Sequence, residues 1–288
     1  MNLLQMLAEP FAYDFMRKAI FVGASVGLVC AVLSCFLTMK GWALLGDALS
    51  HAIVPGVVVA YLFQGSFAVG AFIAGLLSTL GIGWVKSCTR LREDAVIGVV
   101  FTAFFALGIV LRSIFPSNID LKNIMLGNLL GISDADAVQC LVIGAIALGV
   151  IALRWRDLML FCFDANHARS LGLNPQRLYW LFLAVLSLAT VAALQAVGAC
   201  LVVAMLITPG ATAYLLTDRF GRMLWIAGLQ GALTCAAGAY ISWFAQASAA
   251  GIIVTLQTLL FFAAMVFAPK HGILARRAMA QPSPSHAG

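Results

Sequence analysis

The sequence predicts an all-α fold, a polytopic transmembrane helical bundle forming a single domain over residues 1–288, and three observations carry that prediction. Hydrophobic residues make up 63% of the chain and charged residues only 10%, whereas a soluble domain carries about 25% charged residues to solvate its surface. The apolar residues come in long runs, several near the length of about 20 at which a helix crosses the hydrocarbon core. The bases gather in the gaps between those runs. Lipid is therefore the solvent for most of the surface. The net charge of +6 fits the basic excess of cytoplasmic membrane loops better than a nucleic-acid surface.

Taken in order, the predicted crossings are 19–39, 43–63, 66–85, 94–115, 137–153, 178–197, 199–216, 222–244 and 250–268. The first is unbroken between Lys18 and Lys40. The second begins after Gly41 and carries Asp47, His51 and Pro55. The third ends at Lys86, and the fourth is opened by Glu93 and Asp94. Basic residues close the fifth, at Arg154 and Arg156. The run from Leu178 to Leu216 is too long for one crossing and long enough for two, so a hairpin is placed around Gln195 to Cys200. The eighth and ninth follow Arg219 and Arg222 and end before Lys270.

Nine crossings with the N-terminus outside put Lys40, Lys86, Arg90, Arg92, Arg154, Arg156, Arg169, Arg177, Arg219, Arg222, Lys270, Arg276 and Arg277 on the inner side. Only Arg17, Lys18, Arg112 and Lys122 fall outside. That split obeys the positive-inside rule, and the inverted topology violates it by the same margin. The C-terminus is then inside.

The segments between crossings differ in kind. Residues 1–17 form an outer-face segment with no basic leader of the signal-peptide type. Leu121 to Ser133 is too short to span and is placed at the outer interface. The tail from 278 to 288, rich in Pro, Ser and Ala, is expected to be disordered in the cytoplasm. The seven cysteines show no CxxC spacing and are read as small hydrophobes in helices.

The strongest chemical signal is GWALLGDALSHAIVPG, residues 41–56. Asp47 and His51 are four apart, hence on one helical face with Cβ atoms about 5–6 Å apart. At 1.5 Å per residue, His51 lies about 15 Å along the span and Asp47 about 9 Å. An ionisable group at that depth costs about 2.5 kcal/mol or more and persists where it meets a partner or a polar path. The pair is either two ligands closing on one cation or a private hydrogen bond that locks packing. A carboxylate with an imidazole suits Mn2+, Fe2+ or Zn2+, and the absence of a nearby thiolate disfavours Cu(I). Two ligands are few for one ion. A second copy of this helix, or water, would complete the set. Pro55 and Gly56 follow where they kink or break the helix and release carbonyls.

FDANHARSLGLNPQRL, residues 163–178, reads as a short cytoplasmic helix with Asp164 as N-cap, Gly172 just past its end and Pro175 beyond. It is either an ordinary connection or a contact surface for a partner. Glu93 and Asp94 are read as acids that satisfy a helix N-terminus. Thr208, Pro209 and Gly210 mark a kink, while Gly23/Gly27 and Gly127/Gly131 are small-residue packing patterns. No GxxxxGKS, HExxH or GxSxG occurs. From the residues alone, a proton-coupled transporter and an intramembrane enzyme stay open beside an ATP-driven one.

GDALSHAIVPGV (46–57), REDAVIGVVFTAFFALG (92–108), MLGNLLGIS (125–133), FDANHARSLGL (163–173) and LQAVGACLVVAMLITPGATAYLL (194–216) together resemble the manganese/zinc/iron permeases of bacterial ABC importers. The resemblance runs from about Pro10 to Pro269 and is nearest the manganese/iron branch. It implies a non-enzymatic permease that passes a divalent metal ion, Mn2+ favoured, with no permanently bound cofactor. It implies two cytoplasmic ATP-binding subunits, an extracytoplasmic metal-binding protein, and a second permease copy, identical or paralogous. By that resemblance Asp47 and His51 match the intramembrane metal pair. Asp164, Ala165, Asn166, His167, Ala168, Arg169, Ser170, Leu171 and Gly172 match the coupling helix that docks on the ATPase. Pro55, Pro209 and Gly210 are the expected kink or gating positions.

Overall fold

The computed structural model describes residues 9–115, 129–268 and 272, and all of its regular elements among these are helical. After a 3-10 turn at Glu9–Ala12 come α1 (Asp14–Lys40), α2 (Ala43–Ala52), α3 (Val54–Leu62), α4 (Phe67–Cys88) and α5 (Glu93–Ile114). A second 3-10 turn, Leu129–Gly131, precedes α6 (Asp134–Phe163), α7 (Ala165–Ser170), α8 (Pro175–Val197), α9 (Ala199–Leu216), α10 (Phe220–Ala245) and α11 (Ala249–Phe267). With α2 and α3 counted as one broken span, nine helices among the described residues are long and apolar enough to cross a membrane. These are the nine crossings read from the sequence. Of the outer segment expected at 121–133, residues 121–128 lie outside the described residues, as does the tail from 278.

The bundle is organised around α1 and α8, the two most buried spans, while α5, α6 and α11 lie at its edge. α1 and α6 run in parallel, pinned at both ends. Lys18 pairs with Asp134 near their N-termini, and Lys40 Nζ donates to the Phe161 carbonyl, 3.4 Å away, near their C-termini. Two of the four outward bases therefore meet acids at their own level: Lys18 with Asp134, and Arg17 with Asp14.

Small residues set the closest approaches. A Cβ on Gly27 of α1 would stand 2.5 Å from the Gly231 carbonyl oxygen of α10. The GASVG pattern is thus a packing surface, with Gly23 against Leu129. α3 and α4 meet in the same way through Gly56 and Gly70. Gly210, next to Pro209 inside α9, lies against the Ser34 carbonyl of α1, where a side chain would not fit. Without a hydrophobic drive between helices in lipid, such close backbone packing holds the bundle.

Two boundaries differ from the sequence reading. α6 runs ten residues past the expected end at 153, because Leu158, Phe161 and Cys162 keep a buried stripe beyond the basic residues and Arg154 pairs with Asp157 at 3.1 Å. The expected hairpin near Gln195 to Cys200 is a break at one residue, Gly198, at φ +83°.

Candidate functional site

α1 ends in a left-handed turn. Gly41 sits at φ +74°, its N–H bonds the Thr38 carbonyl at 3.2 Å, and the Trp42 N–H reaches back to the Leu37 carbonyl at 2.9 Å. This satisfies the last carbonyls of α1 and starts α2 at once. α2 buries Leu45, Gly46, Ala48, Leu49, Ser50 and Ala52 against its neighbours, with Gly46 close against Leu206. The opposite stripe, Leu44, Asp47 and His51, stays open: Leu44 is 53% exposed, and the Asp47 and His51 side chains are 42% and 23% exposed. A carboxylate in that position is not left facing hydrocarbon, since the cost is about 2.5 kcal/mol or more. The stripe faces water or another protein surface.

His51 Nε2 lies 3.5 Å from Asp47 Oδ1. That is longer than a hydrogen bond of about 2.7–3.2 Å. A cation about 2.1 Å from each atom would see them roughly 110° apart, an angle within the reach of ordinary divalent coordination. The imidazole packs against two rings of α5, with centroids 5.7 Å away at Phe101 and 5.4 Å at Phe105. These rings wall one side of it. Among the described residues no third carboxylate, imidazole or thiol joins the pair.

The helix breaks just above. α2 stops at Ala52, Ile53 retains right-handed helical angles, and α3 restarts at Val54 with Pro55 in its first turn. The ladder resumes with the Val57 N–H on the Ile53 carbonyl at 3.1 Å. Gly108 of α5 fits into this break, so near that a Cβ there would stand 3.0 Å from the Pro55 nitrogen. Pro209 and Gly210, the other expected kink, are buried inside α9. They lie on a helix that packs against α2 but are apart from the open stripe.

At the cytoplasmic end the short helix predicted from residues 163–178 is present with both ends as read. Asp164 Oδ1 accepts the N–H groups of Asn166 at 2.8 Å and His167 at 3.1 Å. Those two bonds, His167 first, hold the Asp164 carboxyl below the usual carboxylate range. Gly172 sits at φ +80°, with its N–H on the Arg169 carbonyl at 3.0 Å and the Leu173 N–H on the Ala168 carbonyl at 3.1 Å. This paired C-terminal closure is what a glycine at that position permits. Ala168 is buried against the bundle, while Asn166, His167, Arg169, Ser170 and Leu171 are exposed, as is Phe163 just before the helix.

One group of residues was missed by sequence reasoning. Glu93 does not cap its own helix through its side chain. Its carboxylate accepts the Trp42 indole N–H and pairs with Lys86 Nζ at 3.6 Å. The acid thus ties the residue just before α2 and the start of α5 to the last turn of α4. Five of the cysteines are buried and two, Cys88 and Cys200, are exposed; all are free thiols.

The model of the ABC 3 transport family matches residues 12–268. The chain is 55% identical to the manganese transport system membrane protein MntB of Synechocystis over 280 residues, 96% of this chain and 92% of that one. It is 53% identical to the chelated iron transport system membrane protein YfeC of Yersinia pestis, covering 96% of this chain and 94% of that one. Among solved structures, PsaBC from Streptococcus pneumoniae in complex with Fab superposes with a TM-score of 0.85 at 32% identity, over 96% of this chain and 100% of that one. A polytopic bundle matched nearly end to end by these membrane proteins belongs to the ABC 3 transport family.

Proposed function

We propose that the chain is the membrane-spanning permease subunit of an ATP-driven importer of divalent metal ions in the bacterial inner membrane, with Mn2+ the favoured cargo and Fe2+ or Zn2+ the alternatives. ATP hydrolysis belongs to separate subunits. The observation that carries the metal step is the Asp47–His51 pair, 3.5 Å apart on a stripe of α2 that the protomer leaves uncovered. The relatives named for manganese and for chelated iron transport support the cargo class.

An extracytoplasmic binding protein delivers the ion, Asp47 and His51 hold it in transit, and the cytoplasmic side releases it. The imidazole must be neutral to ligate, so acid weakens the hold. A second permease copy facing the same stripe raises the side-chain ligands from two to four. Two ATP-binding subunits dock on α7, whose exposed face carries Asn166, His167 and Arg169. Pro55, Pro209 and Gly210 supply the irregular helix geometry that lets one side open while the other closes.

The test is radiolabelled Mn2+ uptake into proteoliposomes holding the whole complex. Asp47→Ala and His51→Ala are expected to abolish uptake while the ATPase subunits still co-purify. Wild-type uptake in either variant removes the site assignment.

A further inference from the structure

We propose that Trp42 is the positioning residue that transmits movement of the ATPase-contact helix α7 to the helix that holds the ion. The inference rests on the reading of Asp47 and His51 as the ion pair and of α7 as the docking element.

α7 has no slack from α6. Asp164, the single residue between them, bonds back to the Leu160 carbonyl through its N–H at 2.9 Å and forward through its carboxylate. A push on α7 therefore moves the end of α6, where Phe161 is buried. The Phe161 ring meets the Trp42 ring edge-to-face, with centroids 6.5 Å apart. Lys40 fastens the same contact, with Nζ 3.4 Å from the Phe161 carbonyl and 4.4 Å from the Phe161 ring. Tyr179 and Phe182 of α8 close two further sides of the indole, at 5.6 Å and 6.2 Å. Trp42 itself is only 5% exposed and stands immediately before α2, five residues ahead of Asp47.

The indole N–H gives the contact a direction. It donates to the Glu93 carboxylate, so the base of α2 cannot turn without moving α5 or giving up a charge-assisted hydrogen bond. α5 in turn carries Phe101 and Phe105, the two rings that flank His51. One buried side chain thus links the docking element to α2, which carries the ion pair, and to α5, which walls it. A residue that only filled space would need the ring but not the N–H.

The experiment compares ions transported per ATP hydrolysed, measured with Mn2+ in proteoliposomes of the whole complex. Trp42→Phe keeps a ring and removes the donor; Glu93→Gln weakens the acceptor; Lys86→Met breaks the neighbouring ion pair and leaves the indole bond. Trp42→Phe and Glu93→Gln are expected to assemble, bind Mn2+ and hydrolyse ATP within about twofold of wild type. Their transport per ATP is expected to fall about tenfold, in the range of a typical coupling free energy. The double variant should be no worse than either single one, because both remove one bond. Lys86→Met should match wild type. Unchanged ions per ATP in Trp42→Phe and Glu93→Gln, whether both rates survive or both fall together, overturns the proposal. Retained uptake in Asp47→Ala is a different failure, that of the ion-site reading itself.

Discussion

Pro55 stands four residues beyond His51, so the N–H that would normally close the helix over the His51 carbonyl does not exist. The donor that reaches back toward that carbonyl is the N–H of Ile53, only two residues on. A helix ending in this way leaves the His51 carbonyl without its usual donor four residues on. In hydrocarbon such a group is tolerated where it lines a polar path.

Replacing Pro55 with alanine restores the missing donor. The helix from Ala43 to Leu62 then runs straight, and the His51 carbonyl is occupied. Uptake is expected to fall by on the order of tenfold or more, since misplacement by about 1 Å can cost about 100-fold, while the unfolding temperature in detergent holds or rises. Gly108, whose α-carbon faces the break, sets how far α3 can realign. Unchanged Mn2+ uptake with a more stable fold would show that the break plays no part in handling the ion.

The glycine seams predict opposite signs for one substitution. At Gly27 an added Cβ meets the Gly231 carbonyl oxygen at 2.5 Å and the Cys235 sulfur at 2.7 Å. Neither backbone can yield without parting α1 from α10, so Gly27→Ala should destabilise by about 1–3 kcal/mol. Gly149 of α6 has nothing within 4 Å of its Cβ position. There alanine adds only helix propensity and should stabilise by up to about 1 kcal/mol. Thermal unfolding of the two purified variants checks both, and a stable Gly27→Ala protein would refute the seam.

These examples show which features were legible in the sequence. Spans and caps are local. Twenty apolar residues need only counting, and Asp164 before a helix with Gly172 after it needs only spacing. Asp47 and His51 were legible for the same reason, since four residues of helix bring them together without any tertiary contact. The extension of α6 from Leu153 to Phe163 was hidden because hydropathy drops at Arg154, while the buried stripe through Leu158 and Phe161 depends on neighbours. Trp42 and Glu93 were hidden for a stronger reason: 51 residues separate them, and only the packed bundle makes them partners. An acid in the first turn of a helix has a local explanation that is sufficient, so nothing in the sequence asks for a second one.

The cap on α7 predicts a pH dependence confined to that helix. The Asp164 carboxyl is held below its ordinary range by the N–H groups of His167 and Asn166, so the charged form is favoured in the folded protein. The sign follows from linkage. A carboxyl with a depressed folded value stabilises the fold above its ordinary value near 3.8, and that contribution drains away as pH falls through the depressed one. At neutral pH the cap is fully formed, and in strong acid it is lost. Hydrogen exchange at Asn166 and His167, corrected for the intrinsic acid dependence, is therefore expected to show protection that disappears below the carboxylate range. Asp164→Asn keeps an acceptor oxygen and should give protection that no longer responds to acid, while Asp164→Ala should lack it at every pH. If the wild-type protection did not change on acidification, the carboxylate would not be the group that fixes α7. α7 would then owe its order to the Gly172 closure alone.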